Sequence, residues 1–288
     1  MASERNGRFY SIDTGVVEEV PLKSTVKWTD EAGVEHVRST TQPTIKHARD
    51  LGLLPSVSEI KSILHSHMLE DWKIEQAVKQ CIETPWPPDA KKDDEDAVAM
   101  YIAEVRKNAG SIARDAADQG KEYHAVIYEA ITSSFTKLPT HPPHLAFVES
   151  VAKYIKENAI REISCERFLA SRTLGYAGTP DFSGHSEKLM LPVILDYKTV
   201  EMYKPDGKRK FKVPHDSWMI QLGAYENLTG KNSLLVQVVV DRATGETEFI
   251  PHKMDVWGRA FTGIFEAWCV LNNYDPRSYG NVDDSVHG

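Results

Sequence analysis

Apolar and polar residues recur with two different periods along this chain, and the period changes near Arg161. Before that point the spacing is helical. "PSVSEIKSILHSHMLEDWKIEQAVKQCIE", from Pro55, places Ile60, Ile63, Leu64, Leu69, Trp72, Ala77, Val78 and Ile82 at helical intervals, with Ser56 or Ser58 as N-cap. The proline-rich, charged "TPWPPDAKKDDED" predicts a loop, and further helices are expected over about 97–107, 111–135 and 145–157. Past Arg161 the pattern becomes that of strands. "EISCERFLAS", "GYAGTPDFSG" and "LPVILDYKT" read as three successive strands, with turns at Gly175 and over 184–188. "SWMIQLGAYENLTG" predicts a short helix stopped by Gly230, and "SLLVQVVVD" a central strand partnered by "GETEFIPH". A closing helix is expected to carry Val256, Ala260, Ile264, Ala267 and Leu271 along one face. Only the first forty residues break the rule, with weakly alternating "RFYSID" and "STVKW" and a turn at Glu31-Ala32-Gly33. The fold class is therefore α/β.

With 288 residues, 41% of them hydrophobic and 26% charged, the chain suits one soluble core with insertions. No apolar run approaches a membrane span, and the N-terminus lacks an apolar signal core, so a cytoplasmic location is expected, in a bacterial cell or phage-infected host. Three widely spaced cysteines supply neither a disulfide framework nor a zinc ribbon nor a four-cysteine iron–sulfur site. There is no phosphate loop for ATP, no His-Glu-x-x-His, no dinucleotide glycine pattern and no nucleophile elbow. The net charge of −8 speaks against a general nucleic-acid binder, yet "KPDGKRKFK" packs Lys204, Lys208, Arg209, Lys210 and Lys212 into nine residues. Such a run is ordinarily a solvated loop.

The candidate chemistry lies in "GTPDFSGHSEKLMLPVILDYKT". Side chains two apart on a strand share a face, so Asp196 and Lys198 point together. A hairpin would bring Asp181 of the preceding strand within a few ångströms of Asp196. Two carboxylates that close disfavour each other unless a cation lies between them. Mg²⁺ or Mn²⁺ takes such oxygen ligands and leaves room for water and phosphate. An ammonium on the same face would orient or activate the water and offset the growing charge. A bare Asp-x-Lys is more often a surface pair, but this one ends a run, "PVIL", that should be buried.

"GTPD", "VILDYKT" and "QLGAY", in that order, resemble the PD-(D/E)XK nuclease superfamily in its RecB-like exonuclease branch, which includes phage and mitochondrial genome maintenance exonucleases. The resemblance implies a restriction-endonuclease-like core, a small mixed sheet flanked by helices. Asp181, Asp196 and Lys198 match the motif, and Gln221 and Tyr225 match Gln-x-x-x-Tyr, which in relatives places the lysine or contacts DNA. Routine helix packing is the alternative for the last two. "GKEYH" matches Gly-x-x-x-His, making His124 a metal ligand and Gly120 the point of close helix approach. The Thr199 carbonyl would complete the shell. Glu166 is a candidate extra acid, or else a solvent-facing strand residue. "LPSVSEI" resembles the segment opening the first helix, where Ser56 and Ser58 would meet a phosphate or simply cap the helix. In that context the basic run becomes a DNA grip.

The resemblance implies a Mg²⁺- or Mn²⁺-dependent deoxyribonuclease needing neither ATP nor an iron–sulfur cluster, an exonuclease on DNA with single-stranded ends. A recombinase or single-strand-binding protein would be its companion, and no membrane is involved. The alternatives are a structure-selective or restriction-type endonuclease, and a non-catalytic DNA-binding or scaffold protein. The expected organisation is a β-rich N-terminal extension over 1–54, then a nuclease domain over 55–288. Within that domain a helical arch or wall spans about 55–160 and the catalytic sheet about 161–250.

Overall fold

The computed structural model describes residues 9–280 except 18, 30–33, 65–66, 89–90, 92, 205 and 253–255. The turn expected at Glu31-Ala32-Gly33 lies outside the described residues. In chain order the elements begin with β1 (Phe9–Ser11), β2 (Gly15–Val16), β3 (Val20–Thr29), β4 (Glu35–Thr41), α1 (Ile45–Leu51) and β5 (Leu54–Pro55). A helical stretch follows, with α2 (Val57–Lys61), α3 (His67–Glu83), α4 (Glu95–Thr132) and α5 (Pro142–Glu157). Then come β6 (Ile160–Cys165), β7 (Leu169–Ser171), β8 (Tyr176–Gly178), β9 (Phe182–Ser186) and β10 (Leu191–Val200). The chain continues through α6 (Asp216–Thr229), β11 (Leu234–Asp241), β12 (Thr247–His252) and α7 (Val256–Asn272), with a 3₁₀ turn at Pro276–Gly280.

The central sheet runs β12-β11-β10-β9-β6. β9 and β10 form an antiparallel hairpin, while β10 and β11 are parallel. A parallel pair needs a crossover, and α6 supplies it. Alternation along β10 sorts its side chains. Val193, Leu195 and Tyr197 pack with Tyr123 and Ile127 of α4 and Phe147 and Val151 of α5. Ile194 packs on the other face with Leu222 and Ala224 of α6, Phe261 and Phe265 of α7, and Val57 and Ile60 of α2. The result is a mixed α/β protein with helices on both faces of a mixed sheet. The N-terminal strands join this body, because β1 pairs with β5 and Phe9 is fully buried in the α6–α7 layer.

Four expectations about elements are corrected. The three successive strands expected after Arg161 are five, because β7 and β8 pair in a small sheet of their own. The helix expected from Pro55 is two helices, because α2 packs on α6 and α7 whereas α3 packs on α4. The break expected near Gly110 does not occur. A glycine costs about 1 kcal/mol within a helix, and α4 outweighs it by burying Val105 on one side and Tyr123, Ile127 and Ala130 on the other. In α7 the buried face is Gly258, Phe261, Phe265, Trp268 and Cys269; of the expected row Ala260 and Ile264 pack against that core, while Val256 is 51% and Leu271 72% exposed. Large aromatic rings gain more from burial than the smaller aliphatic row beside them. Gly230 does end α6, in a left-handed conformation with φ 62°.

Candidate active site

The ladder between β9 and β10 ends at Phe182 and Leu195. Continued by one step, that register sets Asp181 opposite Asp196. The Tyr197 N–H donates to Asp181 Oδ2 at 2.8 Å, which ties this carboxylate to the strand carrying the other. Asp196 is fully buried. Its Oδ2 is held by Lys198 Nζ at 2.5 Å and by Gln237 Nε2 at 2.9 Å. Gln237 lies beside Asp196 in the β10–β11 register and also donates to the Asp196 carbonyl at 2.6 Å. Asp196 Oδ1, equally buried, has no hydrogen-bond partner among the described residues.

His124 reaches this point from α4. Its Nδ1 lies 3.5 Å from Asp181 Oδ1, and its ring meets the edge of Tyr197. One helical turn earlier, a Cβ on Gly120 would sit 3.2 Å from Thr199 Oγ1. The glycine thus lets α4 approach the end of β10 closely enough to deliver the imidazole. Glu166 stands nearby too. Its backbone, at φ 49°, turns out of β6, and its N–H donates to the Asp181 carbonyl at 3.3 Å.

The charges couple. Burial pushes the Asp196 carboxyl up, and the Asp181 charge adds to that against the pull of Lys198. Burial also disfavours the Asp181 anion, but His124, Lys198 and the Tyr197 N–H together hold it below the ordinary carboxylate range. Burial would lower His124 and Lys198, yet both are raised on balance, the first by Asp181 and the second by Asp196 and Asp181. Lys198 is therefore an ammonium at neutral pH. Burial and the Asp181 charge raise Glu166.

Gln221 and Tyr225 share one face of α6, and Gln221 Nε2 donates to the Tyr225 hydroxyl at 3.2 Å. Burial, then Asp181 and Asp196, push the Tyr225 phenol well above its ordinary value, so it stays protonated. Lys61, at the end of α2, completes the set. Its Nζ donates to Gln221 Oε1 at 2.5 Å. Burial and the Lys198 charge lower its ammonium to about 8, against the opposing pull of Asp196 and Asp181.

The structure thus brings together Asp181, Asp196, Lys198, His124, Gln221, Tyr225, Thr199, Gly120 and Glu166. Ser56 is buried and caps α2, its Oγ accepting from Glu59 N at 2.9 Å, whereas Ser58 is exposed. Three of the five cations of the basic run are paired. Lys208 pairs with Asp206 at 3.1 Å, Arg209 with Glu248 at 2.6 Å and Lys210 with Glu201 at 2.6 Å. Lys204 and Lys212 are exposed without an ion pair among the described residues. Tyr203 is held by Glu246, and Trp218 is half-buried against His215 and Phe211.

Two residues of the site escape a reading of the sequence. Gln237 is the one polar position inside "LLVQVVV", a signal that a buried partner needs it. Lys61 looks like any solvated helical lysine, and only the fold turns it inward.

Among the described residues no three His, Cys, Asp or Glu side chains converge as a ready-made cation cage. The donor set nevertheless suits a hard divalent ion, since Asp196 keeps one buried oxygen free beside a second carboxylate. Nor is any helix among the described residues long and apolar enough to cross a membrane. The sequence matches no protein-family model, and no curated protein is similar to it. The crystal structure of SSO0001 covers 78% of this chain and 100% of its own at 11% identity; its TM-score of 0.33 is too low to carry an argument.

Proposed function

We propose that this protein is a divalent-metal-dependent deoxyribonuclease with a restriction-endonuclease-like core, of the RecB-like kind. The observation that carries the reading is the buried, unpaired Oδ1 of Asp196 with the Asp181 carboxylate opposite it and an ammonium at Oδ2. A buried anion is expensive unless its oxygens are satisfied, and a cation would satisfy both carboxylates at once. Asp181, Asp196 and His124, with the Thr199 carbonyl, would hold Mg²⁺ or Mn²⁺. Such an ion would polarise a phosphoryl oxygen and acidify a water. An imidazole in the set favours Mn²⁺ more than oxygen ligands alone would.

Lys198 is protonated and fixed against Asp196, so it holds water and balances charge rather than accepting a proton. Gln237 clamps Oδ2, leaving Oδ1 the free donor. The net reaction adds water across a P–O bond and leaves a phosphomonoester and a hydroxyl. Tyr225 and Gln221 keep the α6 side of the site polar and protonated. The basic run contributes less free charge than its composition suggests, with Lys204 and Lys212 as its cations without an ion pair among the described residues.

One gel tests this. End-labelled single- and double-stranded DNA is incubated with Mg²⁺, with Mn²⁺ and with chelator, using the parent, Asp196→Ala and Lys198→Ala. Divalent-dependent loss of label, abolished by both substitutions, is expected. Cleavage in chelator, or undiminished cleavage by Asp196→Ala, would overturn the proposal. A closed circular substrate separates exonuclease from endonuclease, since an exonuclease leaves it intact.

A further inference from the structure

Beside Asp181 and Asp196 the site holds two ammoniums, and among the described residues only one of them has a carboxylate partner. Lys198 is paired with Asp196. Lys61 has no carboxylate within ion-pair distance among the described residues, and its one hydrogen bond goes to a neutral amide, Gln221 Oε1. It nevertheless lies in the electrostatic range of Lys198, Asp196 and Asp181. A half-buried ammonium with no paired carboxylate is costly. Just as two close carboxylates ask for a metal, such an ammonium asks for an anion.

Nothing about the lysine's position is loose. Val57 and Ile60 of α2 are buried in the α6–α7 layer. Ser56, just before the helix, bridges to Ala177 of β8, the strand leading to Asp181. Gln221, which holds the ammonium, is itself tied to Tyr225. An ammonium has three donors, and Gln221 takes one. Two remain for a ligand.

We propose that Lys61 forms a phosphate-binding point of the active site, gripping non-bridging oxygens of a substrate phosphate from the α2 side. The inference rests on the nuclease reading for the identity of the substrate, but the anion site itself does not depend on cleavage. The phosphate is either an internal phosphodiester or the terminal phosphate of a strand end, and both offer the same oxygens. Lys61 is a substrate-binding residue in this account, and the positive charge, not proton transfer, is what it contributes.

The test uses the full chain as parent, Lys61→Met and Lys61→Arg. The first readout is thermal stabilisation by inorganic phosphate in chelator, at constant ionic strength against chloride. A concentration-dependent rise is expected in the parent, little or none in Lys61→Met, and most of it in Lys61→Arg. The second is cleavage of DNA with phosphorylated and with dephosphorylated ends. Lys61→Met should lose about tenfold or more in kcat/KM, the scale of a lost charge-assisted hydrogen bond, and Lys61→Arg should recover most of it. A deficit confined to phosphorylated ends assigns the terminal phosphate; an equal deficit assigns an internal one. Parent-like phosphate response and kinetics in Lys61→Met would overturn the proposal. So would a Lys61→Arg variant as impaired as Lys61→Met while folded, since that points to proton transfer. A parent that responds to phosphate but cleaves no DNA would remove the nuclease reading and leave the anion site standing.

Discussion

Gln237 and Asp196 are register partners on adjacent parallel strands, and one amide nitrogen of the glutamine bonds both the carboxylate and the carbonyl of the aspartate. The effect is to assign the two oxygens of Asp196 different tasks. Oδ2 is spoken for by Gln237 and Lys198, and Oδ1 is left bare in a place without solvent.

Gln237 should therefore matter for metal affinity without touching the metal. Outer partners of ligating carboxylates typically matter 10- to 100-fold when removed. Gln237→Leu is expected to weaken Mn²⁺ binding by about that factor, while DNA binding in chelator stays at the parent level. Titration calorimetry on the folded variant reads the first, and fluorescence anisotropy the second.

The His124–Asp181 pair predicts a pH dependence in the metal-free protein. Burial lowers the imidazole, but Asp181 more than restores it, so the folded value lies above the unfolded one. A group raised on folding contributes stability that is complete below its unfolded value, about 6.5 for histidine, and is lost as pH rises through the folded value. The parent minus His124→Asn difference in Tm, measured in chelator, should shrink from pH 6 towards pH 8. A difference that grows over that range would contradict the pairing.

The face of α7 can be checked by stability alone. Phe265 is buried against Tyr176 and Trp268, whereas Leu271 is exposed. Phe265→Ala is expected to cost about 3–5 kcal/mol. Leu271→Ala should stay within about 0.5 kcal/mol of the parent. Urea denaturation of the two variants measures both.

Much of this architecture can be read before any coordinates, and the reasons are local. Alternation along "PVILDYKT" puts Asp196 and Lys198 on one face, and the structure has them there. The apolar run of β11 marks a central strand, and Gly230 marks the end of α6. What stays hidden depends on partners distant in sequence. Periodicity alone does not say that α2 and α3 pack on different bodies, or that aromatic rings would win the inner face of α7. Lys61 and Gln221 are 160 positions apart, so their bond has no local trace. The charge of the run over 204–212 is visible in composition, but its neutralisation by Glu201 and Glu248 is a property of the fold.

The most direct measurement is Mn²⁺ binding followed by electron paramagnetic resonance of the free ion, comparing the parent with Asp181→Asn and Asp196→Asn, each checked for folding. Both substitutions keep the shape and remove the charge. Saturable binding in the parent, weakened at least about tenfold in each variant, is the predicted result. Equal binding in all three, or none in the parent, would contradict the claim that these two carboxylates share a cation.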